Sequence, residues 1–227
     1  MKKGKLIVLE GIDGSGKSSQ YKRICDKLLN DGVSYRHIVF PRYEKDSSAL
    51  IRLYLGGMFG SRPGDVNAYT ASTFYAVDRF ASYRDDWGKY YENGGLIFSD
   101  RYTTSNAVHQ GSKLSDEELP AFFDWLQDLE YNKMLLPKPD LVIYLDTSVA
   151  ISAARMRRRE NRTGTHADIH EQDNSYLARC LHTADLACEH YGWIRIPYLS
   201  PTGSERTLEE KNTEIYRIIR EYLSSAD

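Results

Sequence analysis

Cysteine is scarce in this 227-residue sequence, and long hydrophobic runs are missing. The three cysteines, Cys25, Cys180 and Cys188, are widely spaced and form no Cys-x-x-Cys pair. An odd, dispersed set predicts reduced thiols and argues against a disulfide framework or a zinc site. Before Glu10 there are only four consecutive apolar residues, at 6–9, which is too few for a signal-peptide core or a membrane span. We therefore expect a cytoplasmic protein with no membrane partner.

An excess of charge of one sign is also missing. The sequence has 30 Lys and Arg residues and 32 Asp and Glu residues, which gives a formal net charge of -2. This balance argues against duplex nucleic acid or an acidic membrane surface as partner, so an anionic substrate must be bound by local clusters of basic residues. Internal repeats and low-complexity linkers are absent as well, and we predict a single domain over residues 1–227.

Short apolar runs bounded by turn residues predict five buried parallel strands. Four lie at 6–9, 38–40, 96–98 and 141–145, and a more alternating fifth, at 193–199, is expected at an edge. Helices are predicted between them over 17–29, 68 to about 91, and 119–136, with a last helix after the capping box Thr207-x-x-Glu210. This alternation predicts an α/β fold with a doubly wound five-stranded parallel sheet. Residues 155–173 break the pattern because they are polar and basic, and we expect them to form a mobile lid over a site.

A phosphate-binding loop follows the first predicted strand. Residues 11–18 fit G-x-x-x-x-G-K-[ST] and precede a predicted helix, which is the context that the motif requires. Glycines let backbone N–H groups turn toward phosphate oxygens, and the N terminus of the following helix favours the same anion. We expect Lys17 to reach the β- and γ-phosphates of a nucleoside triphosphate and the Ser18 hydroxyl to bind Mg²⁺. The predicted nucleotide-binding residues are Gly11, Ile12, Asp13, Gly14, Ser15, Gly16, Lys17, Ser18 and Ser19.

The loop alone does not identify the reaction. A GTPase would carry Asn-Lys-x-Asp, but the Asn-Lys pair at 132–133 is followed by Met-Leu. The third predicted strand ends in Asp100-Arg101-Tyr102, where motor and transporter ATPases usually have an acidic pair. Asp100 can bind Mg²⁺ through water, and the adjacent Arg101 can bind a second phosphate group. This arrangement favours a phosphate acceptor over a water nucleophile.

Four motifs together give the chain a resemblance to the thymidylate kinase family. They are Glu-Gly-Ile-Asp-Gly-Ser-Gly-Lys-Ser-Ser-Gln at 10–20, Phe-Pro-Arg-Tyr at 40–43, Asp-Arg-Tyr at 100–102 with Ser105-Asn106, and Leu-Pro-Lys-Pro-Asp at 136–140. Their order and spacing are those of the family, and they cover the chain from residue 5 to about residue 173. The resemblance implies transfer of the γ-phosphate of ATP to dTMP, giving ADP and dTDP for dTTP synthesis, with Mg²⁺ as cofactor. It also implies a homodimer.

The long helix predicted from residue 68 carries a pair suited to a pyrimidine. Tyr75 and Arg79 are four residues apart and share a face, so the ring can stack on the base while the guanidinium donates to O4 of thymine. Cytosine has an amino donor at that position and would be rejected. The resemblance assigns the stacking position to Tyr75. Phe74 is the alternative, although Val77 and Ala81 indicate that it faces the core. Arg79 argues against an aromatic helix that is simply packed inside, because a charged residue is rarely buried without a partner.

Further acceptor contacts are implied by the resemblance. It places Asn106 at N3 of the base and His109 near C2′ of the sugar. It also assigns the 5′-phosphate to Arg42, Tyr43 and Arg101, the wall of the base site to Phe40 and Pro41, and the 3′ side to Glu171. The alternatives are a surface role for His109 and an ordinary salt bridge for Arg42. The predicted acceptor-binding residues are Phe40, Pro41, Arg42, Tyr43, Tyr75, Arg79, Arg101, Ser105, Asn106, His109, His170 and Glu171, and His170 stands where relatives have Tyr.

Phosphoryl transfer requires positioning and charge neutralisation more than covalent chemistry. The phosphate loop has no Arg, which within the family implies that the lid supplies one; Arg155 and Arg159 are the candidates, and a solvated basic helix is the alternative. With Lys17, Arg101 and Asp13 they form the predicted catalytic set. Two other functions stay open: a P-loop kinase for another nucleoside monophosphate or a deoxynucleoside, and a P-loop module that senses nucleotide without turnover.

Overall fold

A computed structural model describes residues 3–163 and 174–225. At its centre is a sheet of five strands, β1 (Lys5–Glu10), β2 (Tyr35–Val39), β3 (Leu96–Asp100), β4 (Leu141–Leu145) and β5 (Ile194–Ile196). The strand order is β2-β3-β1-β4-β5, and all neighbouring pairs are parallel. The predicted doubly wound sheet is confirmed. The fifth strand lies at an edge, as expected, but is shorter than the predicted run.

Helices connect the strands and cover the sheet. They are α1 (Lys17–Asn30), α2 (Ala49–Leu55), α3 (Ala68–Ser82), α4 (Gly88–Glu92), α5 (Thr103–Ser105), α6 (Leu119–Gln127), α7 (Val149–Thr163), α8 (Asn174–Tyr191) and α9 (Leu208–Ser225). The capping box before α9 is confirmed, because the Glu210 amide donates to Thr207 Oγ1 at 3.2 Å and Glu210 Oε2 accepts from the Thr207 amide at 2.7 Å. The sequence analysis missed α2 and α8. Across the described residues, no helix combines the length and apolarity that a membrane span requires.

Three helices change to a wider, π-helical turn. One such turn, Tyr83–Trp87, joins α3 to α4, a second, Asn106–Gln110, continues α5, and a third, Asp128–Lys133, continues α6. The predicted helices over 68–91 and 119–136 are therefore helical over most of their lengths, with a shift in hydrogen-bond pattern that periodicity does not reveal. Such turns occur often at functional sites, and two of the three carry residues of the site described below.

The central strand β1 is buried on both faces. Ile7 and Leu9 pack in a cluster with residues of α1 and α9, and Leu6 and Val8 pack on the opposite face with Trp87. This alternation follows from the pleat of a strand. The register pairs Leu9 of β1 with Asp100 of β3, so the ends of the two strands that carry the phosphate loop and the Asp-Arg-Tyr motif lie side by side.

The segment predicted to be a lid begins as a regular helix. Its first nine residues, 155–163, are the end of α7, and the role of 155–173 as a lid stays a prediction. Ser152 and Met156, both buried, provide the inward face, and Met156 packs in a cluster with Ile12 of the phosphate loop. Residues 164–173, the rest of the predicted lid, lie outside the described residues.

Candidate active site

The phosphate loop joins the carboxyl end of β1 to α1. Its backbone angles favour glycine, and at Gly14 there is no room for a side chain. Gly14 and Gly16 have φ values of 73° and 93°, in the region that favours glycine. A Cβ on Gly14 would lie 2.5 Å from the backbone oxygen of Ser152 in α7. The Ser152 hydroxyl donates to the Asp13 carbonyl oxygen at 2.5 Å. The helix at the start of the lid therefore packs directly on the loop.

Lys17 is buried at the base of this loop, as the first residue of α1. Burial lowers the pKa of its ammonium group, and the nearby Arg101 acts in the same direction, whereas Asp100, Asp13 and Glu10 oppose this shift. A buried ammonium group next to a guanidinium is stabilised by an incoming anion. The environment of Lys17 therefore suits a phosphate ligand.

Two oxygen groups beside the loop fit a hydrated Mg²⁺ ion. Oδ1 of Asp100 is buried, and within residues 3–163 and 174–225 it has no hydrogen-bond partner. The Ser18 side chain is exposed at the first turn of α1. Mg²⁺ prefers carboxylate and hydroxyl oxygens and commonly keeps several waters beside substrate phosphates. The orphaned carboxylate oxygen is a group that such an ion and its waters would satisfy.

Arg101 connects the phosphate loop to the acceptor side. Its Nη2 donates to Asp13 Oδ1 at 2.6 Å, and its Nη1 lies 3.2 Å from Ser105 Oγ and 3.0 Å from His109 Nε2. Its backbone has a φ of 68°, which is uncommon for a residue with a side chain and often marks a functional position. Although burial alone would lower it, Asp13, Glu10 and Asp100 together raise the pKa of the guanidinium, which stays charged.

Glu10 organises both sides of this cluster and was given no role from the sequence. Its Oε1 accepts from the Gly11 amide at 2.8 Å, and its Oε2 accepts from Thr104 Oγ1 at 2.6 Å and from Ser105 Oγ at 2.7 Å. A fully buried carboxylate that ends a central strand needs such partners. Its place in the sequence, an acidic residue directly after four apolar ones, is the signal that could have indicated this role.

Arg79 is buried, and its charge is paired with a carboxylate on another element. Only 1% of its side chain is exposed, and the partner that makes this possible is Glu130, whose side chain is fully buried. Nε of Arg79 donates to Glu130 Oε2 at 2.6 Å, and Nη2 donates to Oε1 at 2.5 Å. Thr103 Oγ1 also donates to Oε2, at 2.8 Å. Contact of Arg79 with a base stays a prediction.

The residues around Arg79 form a partly aromatic wall. Tyr75 is half-buried against a cluster that contains Tyr54, while the ring of Phe74 lies 5.9 Å from that of Phe59. Phe74 packs against the same cluster, in agreement with the expectation that it faces the core, although Val77 is 47% exposed. The stacking role of Tyr75 stays a prediction.

The π-helical turn after α5 brings two amides to the same region. Asn106 is buried, and its Nδ2 donates to the Ser72 carbonyl oxygen at 3.1 Å. Gln110, on the same turn, is also buried, and its Oε1 has no hydrogen-bond partner within the described part of the chain. Gln110, four residues after Asn106, is thus a further candidate for polar contact with a base, although the sequence analysis gave it no role.

The contacts of Arg42 do not support its predicted role at the 5′-phosphate. Its amide and Nε donate to the two carboxylate oxygens of Asp78 at 2.9 and 3.3 Å, Nη1 donates to Asp85 Oδ1 at 2.9 Å, and Nη2 donates to Ser47 Oγ at 3.1 Å. Asp78 belongs to α3, so the Phe-Pro-Arg-Tyr segment is bound to that helix. These contacts agree with the salt-bridge alternative, and contact of Arg42 with the 5′-phosphate stays a prediction.

The other residues of the Phe-Pro-Arg-Tyr segment differ in exposure. Phe40 is buried, with its ring 6.0 Å from that of Tyr102, and its place in the wall of the base site stays a prediction. Pro41, which follows a cis peptide bond, is half-buried, and Tyr43 is half-exposed. Tyr43 also contributes to the electrostatic environment of Arg101, which places it on the side of the predicted phosphate contact.

A cavity of about 380 Å³ opens on the outer side of the phosphate loop. It is lined by loop residues, by Arg155 and by basic residues near the start of α9; the lining residues are Ser15, Gly16, Ser19, Gln20, Leu145, Arg155, Glu205, Arg206, Thr207, Leu208 and Lys211. Arg155 Nη1 donates to the carbonyl oxygens of Gly14 and Ser15, both at 3.2 Å, and Nη2 donates to Glu205 at 2.7 Å. These contacts hold Arg155 in this cavity. They do not support the prediction that Arg155 acts on the transferred phosphoryl group.

Three predicted site residues lie outside the described residues: the side chain of Arg159, and His170 and Glu171 in full. Their roles stay predictions. Of the others, the phosphate loop, Asp100 and Arg101 lie at the carboxyl ends of β1 and β3, and the Phe40 amide donates to the Asp100 carbonyl oxygen at 3.1 Å.

Comparison with known proteins points to one family. The sequence profile described as "Thymidylate kinase" matches residues 9–196. The thymidylate kinase of Mycobacterium tuberculosis is 30% identical over 196 residues, which span 83% of this chain and 89% of that protein. The human thymidylate kinase is 28% identical over 154 residues, 68% of this chain and 66% of that protein.

A solved structure supports the fold. The thymidylate kinase of Candida albicans, whose title attributes broad substrate specificity to that enzyme, aligns with a TM-score of 0.68 at 20% identity, covering 99% of this chain and 94% of that one. At this identity the likeness concerns the fold alone. Family membership follows from the profile, whose match contains β2 to β5, the last two residues of β1, the phosphate loop and Arg101. The chain belongs to the thymidylate kinase family.

Proposed function

We propose that this chain transfers the γ-phosphate of ATP to dTMP and releases ADP and dTDP. The observation that supports this best is the position of Arg101, which binds Asp13 of the phosphate loop through one nitrogen and Ser105 of the acceptor side through the other. A guanidinium in this place can bind the phosphate of an acceptor while it keeps its contact with the loop that binds the donor. A protein that only sensed nucleotide would not need it.

In this reaction an oxygen of the acceptor phosphate attacks the γ-phosphorus, and the bond from that phosphorus to the β-phosphate oxygen breaks. The attacking oxygen is already anionic, so no strong general base is required. The charges of two nucleotides must instead be neutralised in a site shielded from water, where preorganised cations act most strongly. Lys17 and Arg101, both largely buried, would supply this stabilisation. Asp13 would restrain Arg101.

Mg²⁺ is the cofactor of this proposal, with Ser18 and Asp100 as the residues that would hold it. When bound, the ion would neutralise charge on the phosphates. The unpartnered Oδ1 of Asp100 supports this assignment within the described part of the chain. The cavity that contains Arg155, Arg206 and Lys211 is proposed to receive the donor nucleotide, so we assign Arg155 to donor binding.

The acceptor assignment can be tested by measuring ADP release from ATP and Mg²⁺ with dTMP, dUMP, dCMP, dGMP, AMP and thymidine offered singly. Turnover with dTMP, and with dUMP more slowly, is expected. Robust turnover with thymidine would indicate a nucleoside kinase, and a preference for AMP or dGMP would indicate another monophosphate kinase. ATP binding without turnover on any acceptor would favour a nucleotide sensor.

We further propose that the chain forms a homodimer through the outer face of α3. Val77 and Phe80, three residues apart on that helix, are 47% and 41% exposed. Neighbouring exposed apolar side chains on one helical face are typical of an interface. A cytoplasmic location is part of this proposal and rests on the reduced state expected of three widely spaced cysteines.

A further inference from the structure

The contact between His109 and Arg101 determines which nitrogen of the imidazole carries the proton. Nε2 of His109 lies 3.0 Å from Nη1 of Arg101. A guanidinium carries only donors, so Nε2 must present its lone pair and cannot carry a proton. In a neutral ring the proton then resides on Nδ1.

The surroundings of Nδ1 agree with this tautomer. The Tyr176 hydroxyl donates to the His109 carbonyl oxygen at 3.1 Å, and its oxygen lies 3.4 Å from Nδ1, at the distance of a weak hydrogen bond from an Nδ1–H group. The sulfur of Cys180 lies 3.7 Å from Nδ1. Burial raises the pKa of Cys180 to about 12, so the thiol is neutral and offers no charge to the ring. The imidazole thus sits between α8 and Arg101 with both nitrogens assigned.

Protonation of His109 would place a second cation against Arg101. Asp13 and Glu10 bind the guanidinium of Arg101 at 2.6 and 3.6 Å, and the charges of Asp100 and Lys17 also act on it. Ser105, which donates to Glu10 at 2.7 Å, keeps a lone pair for Nη1. Of the groups that Nη1 contacts, the imidazole is the one that ordinarily takes up a proton between about pH 5 and pH 8.

We propose that His109 is a positioning residue that holds Arg101 only in its neutral form, so that acidification weakens binding of the acceptor phosphate. The proposal rests on the proposed function, because Arg101 is taken to bind that phosphate. It assigns His109 a task distinct from contact with the sugar. Donor binding is not affected, since neither His109 nor Arg101 lines the cavity that contains Arg155.

The test compares wild type with His109→Gln, because the glutamine side chain keeps an acceptor oxygen and does not titrate. The Michaelis constants for dTMP and for ATP are measured from about pH 5.5 to about pH 8. The second proton of the dTMP phosphate also titrates near pH 6. The quantity of interest is therefore the ratio of the Michaelis constants of the two proteins at each pH, in which this effect cancels. On acidification, we expect the Michaelis constant for dTMP to rise about tenfold more in wild type than in the variant. This is the effect expected from one charge-dependent hydrogen bond. The constants for ATP should stay parallel.

His109→Phe provides a second arm because it removes the acceptor and keeps an aromatic ring. It should show a raised and pH-independent constant for dTMP, after correction for the substrate. Nitrogen NMR of the imidazole in the wild-type protein near pH 7.5 should show the proton on Nδ1, whether or not dTMP is the substrate that receives the phosphate. Parallel dTMP profiles for wild type and His109→Gln, or a proton on Nε2, would overturn the proposal. Failure of wild type to phosphorylate dTMP would instead overturn the proposed function, and the NMR result would still decide the contact.

Discussion

Arg79 and Glu130 form a bidentate ion pair that is buried between α3 and the π-helical turn after α6. The two hydrogen bonds, 2.6 and 2.5 Å long, fix the plane of the guanidinium, and Thr103 fixes the carboxylate from its other side. Tyr75 lies one turn before Arg79 on the same helix. If this face reads a pyrimidine, its donor is oriented before the base arrives, and no ordering has to occur upon binding.

We predict that Glu130→Gln weakens dTMP binding selectively. The substitution keeps the shape of the side chain but places an amide donor against the guanidinium, so Arg79 loses its alignment. The Michaelis constant for dTMP should rise about tenfold or more, the scale of a charge-assisted hydrogen bond, while that for ATP changes little. Steady-state kinetics with each substrate varied in turn would measure both.

Two controls separate positioning from general damage. Thr103→Val removes one hydrogen bond to the same carboxylate and should act in the same direction with a smaller effect. Asp128→Asn changes an exposed acid on the same π-helical turn and should be neutral. Because breaking a buried ion pair costs about 3 kcal/mol or more of stability, all assays must be made below the lowest unfolding midpoint. Equal losses for ATP and dTMP in a folded Glu130→Gln protein would make the pair structural.

Asp100→Asn should reduce the response to Mg²⁺ without loss of the fold. Its Oδ1 makes no hydrogen bond to any described residue, so the substitution breaks no contact at that atom. The Mg²⁺ concentration for half-maximal turnover should rise by about 10- to 100-fold, as for residues that orient a metal and its waters. ATP affinity measured without metal should stay near wild type. An unchanged Mg²⁺ curve would exclude Asp100 from the metal site.

The sequence predicted those parts of the site whose residues are neighbours in the chain. The phosphate loop, the strands and the capping box at Thr207 are local patterns, and each lies where it was expected. The partners of Arg79 and Arg42 could not be identified from the sequence, because Glu130 and Asp78 are 51 and 36 residues away on other elements. Burial of a charge depends on such a partner, and spacing within one helix gives no information about it.

Lys113 should make stability depend on pH in the alkaline range. Its ammonium group donates to Tyr54 Oη and to the Val66 carbonyl oxygen, both at 2.8 Å, and burial lowers its pKa to about 8 from an ordinary 10.5. Between these two values the unfolded chain binds the proton more tightly than the folded protein. The contribution of Lys113 to the free energy of unfolding should therefore rise with pH from about 8 to about 10.5, by at most about 1.4 kcal/mol per pH unit.

The measurement is the difference in urea unfolding free energy between wild type and Lys113→Met at several pH values between 7.5 and 10. A difference is needed because burial raises the pKa of Cys180 and Cys188 to about 12, which gives an opposite slope in both proteins. Curves for the two proteins that run parallel over this range would show that Lys113 titrates normally.

Phe80→Glu should convert the proposed dimer into a monomer. Phe80 and Val77 expose apolar surface on one face of α3. In a symmetric interface, a charge placed there would be desolvated, and it would lie near the same charge of the partner across the two-fold axis. Light scattering coupled to size-exclusion chromatography would report the mass, which should fall from that of two chains of 26.1 kDa to that of one. Leu29→Glu is the matched control, because Leu29 is exposed at the end of α1, away from this face, and its substitution should leave the mass unchanged. A wild-type protein that is already monomeric at micromolar concentration, or a Phe80→Glu protein that remains dimeric, would rule out this face as the interface.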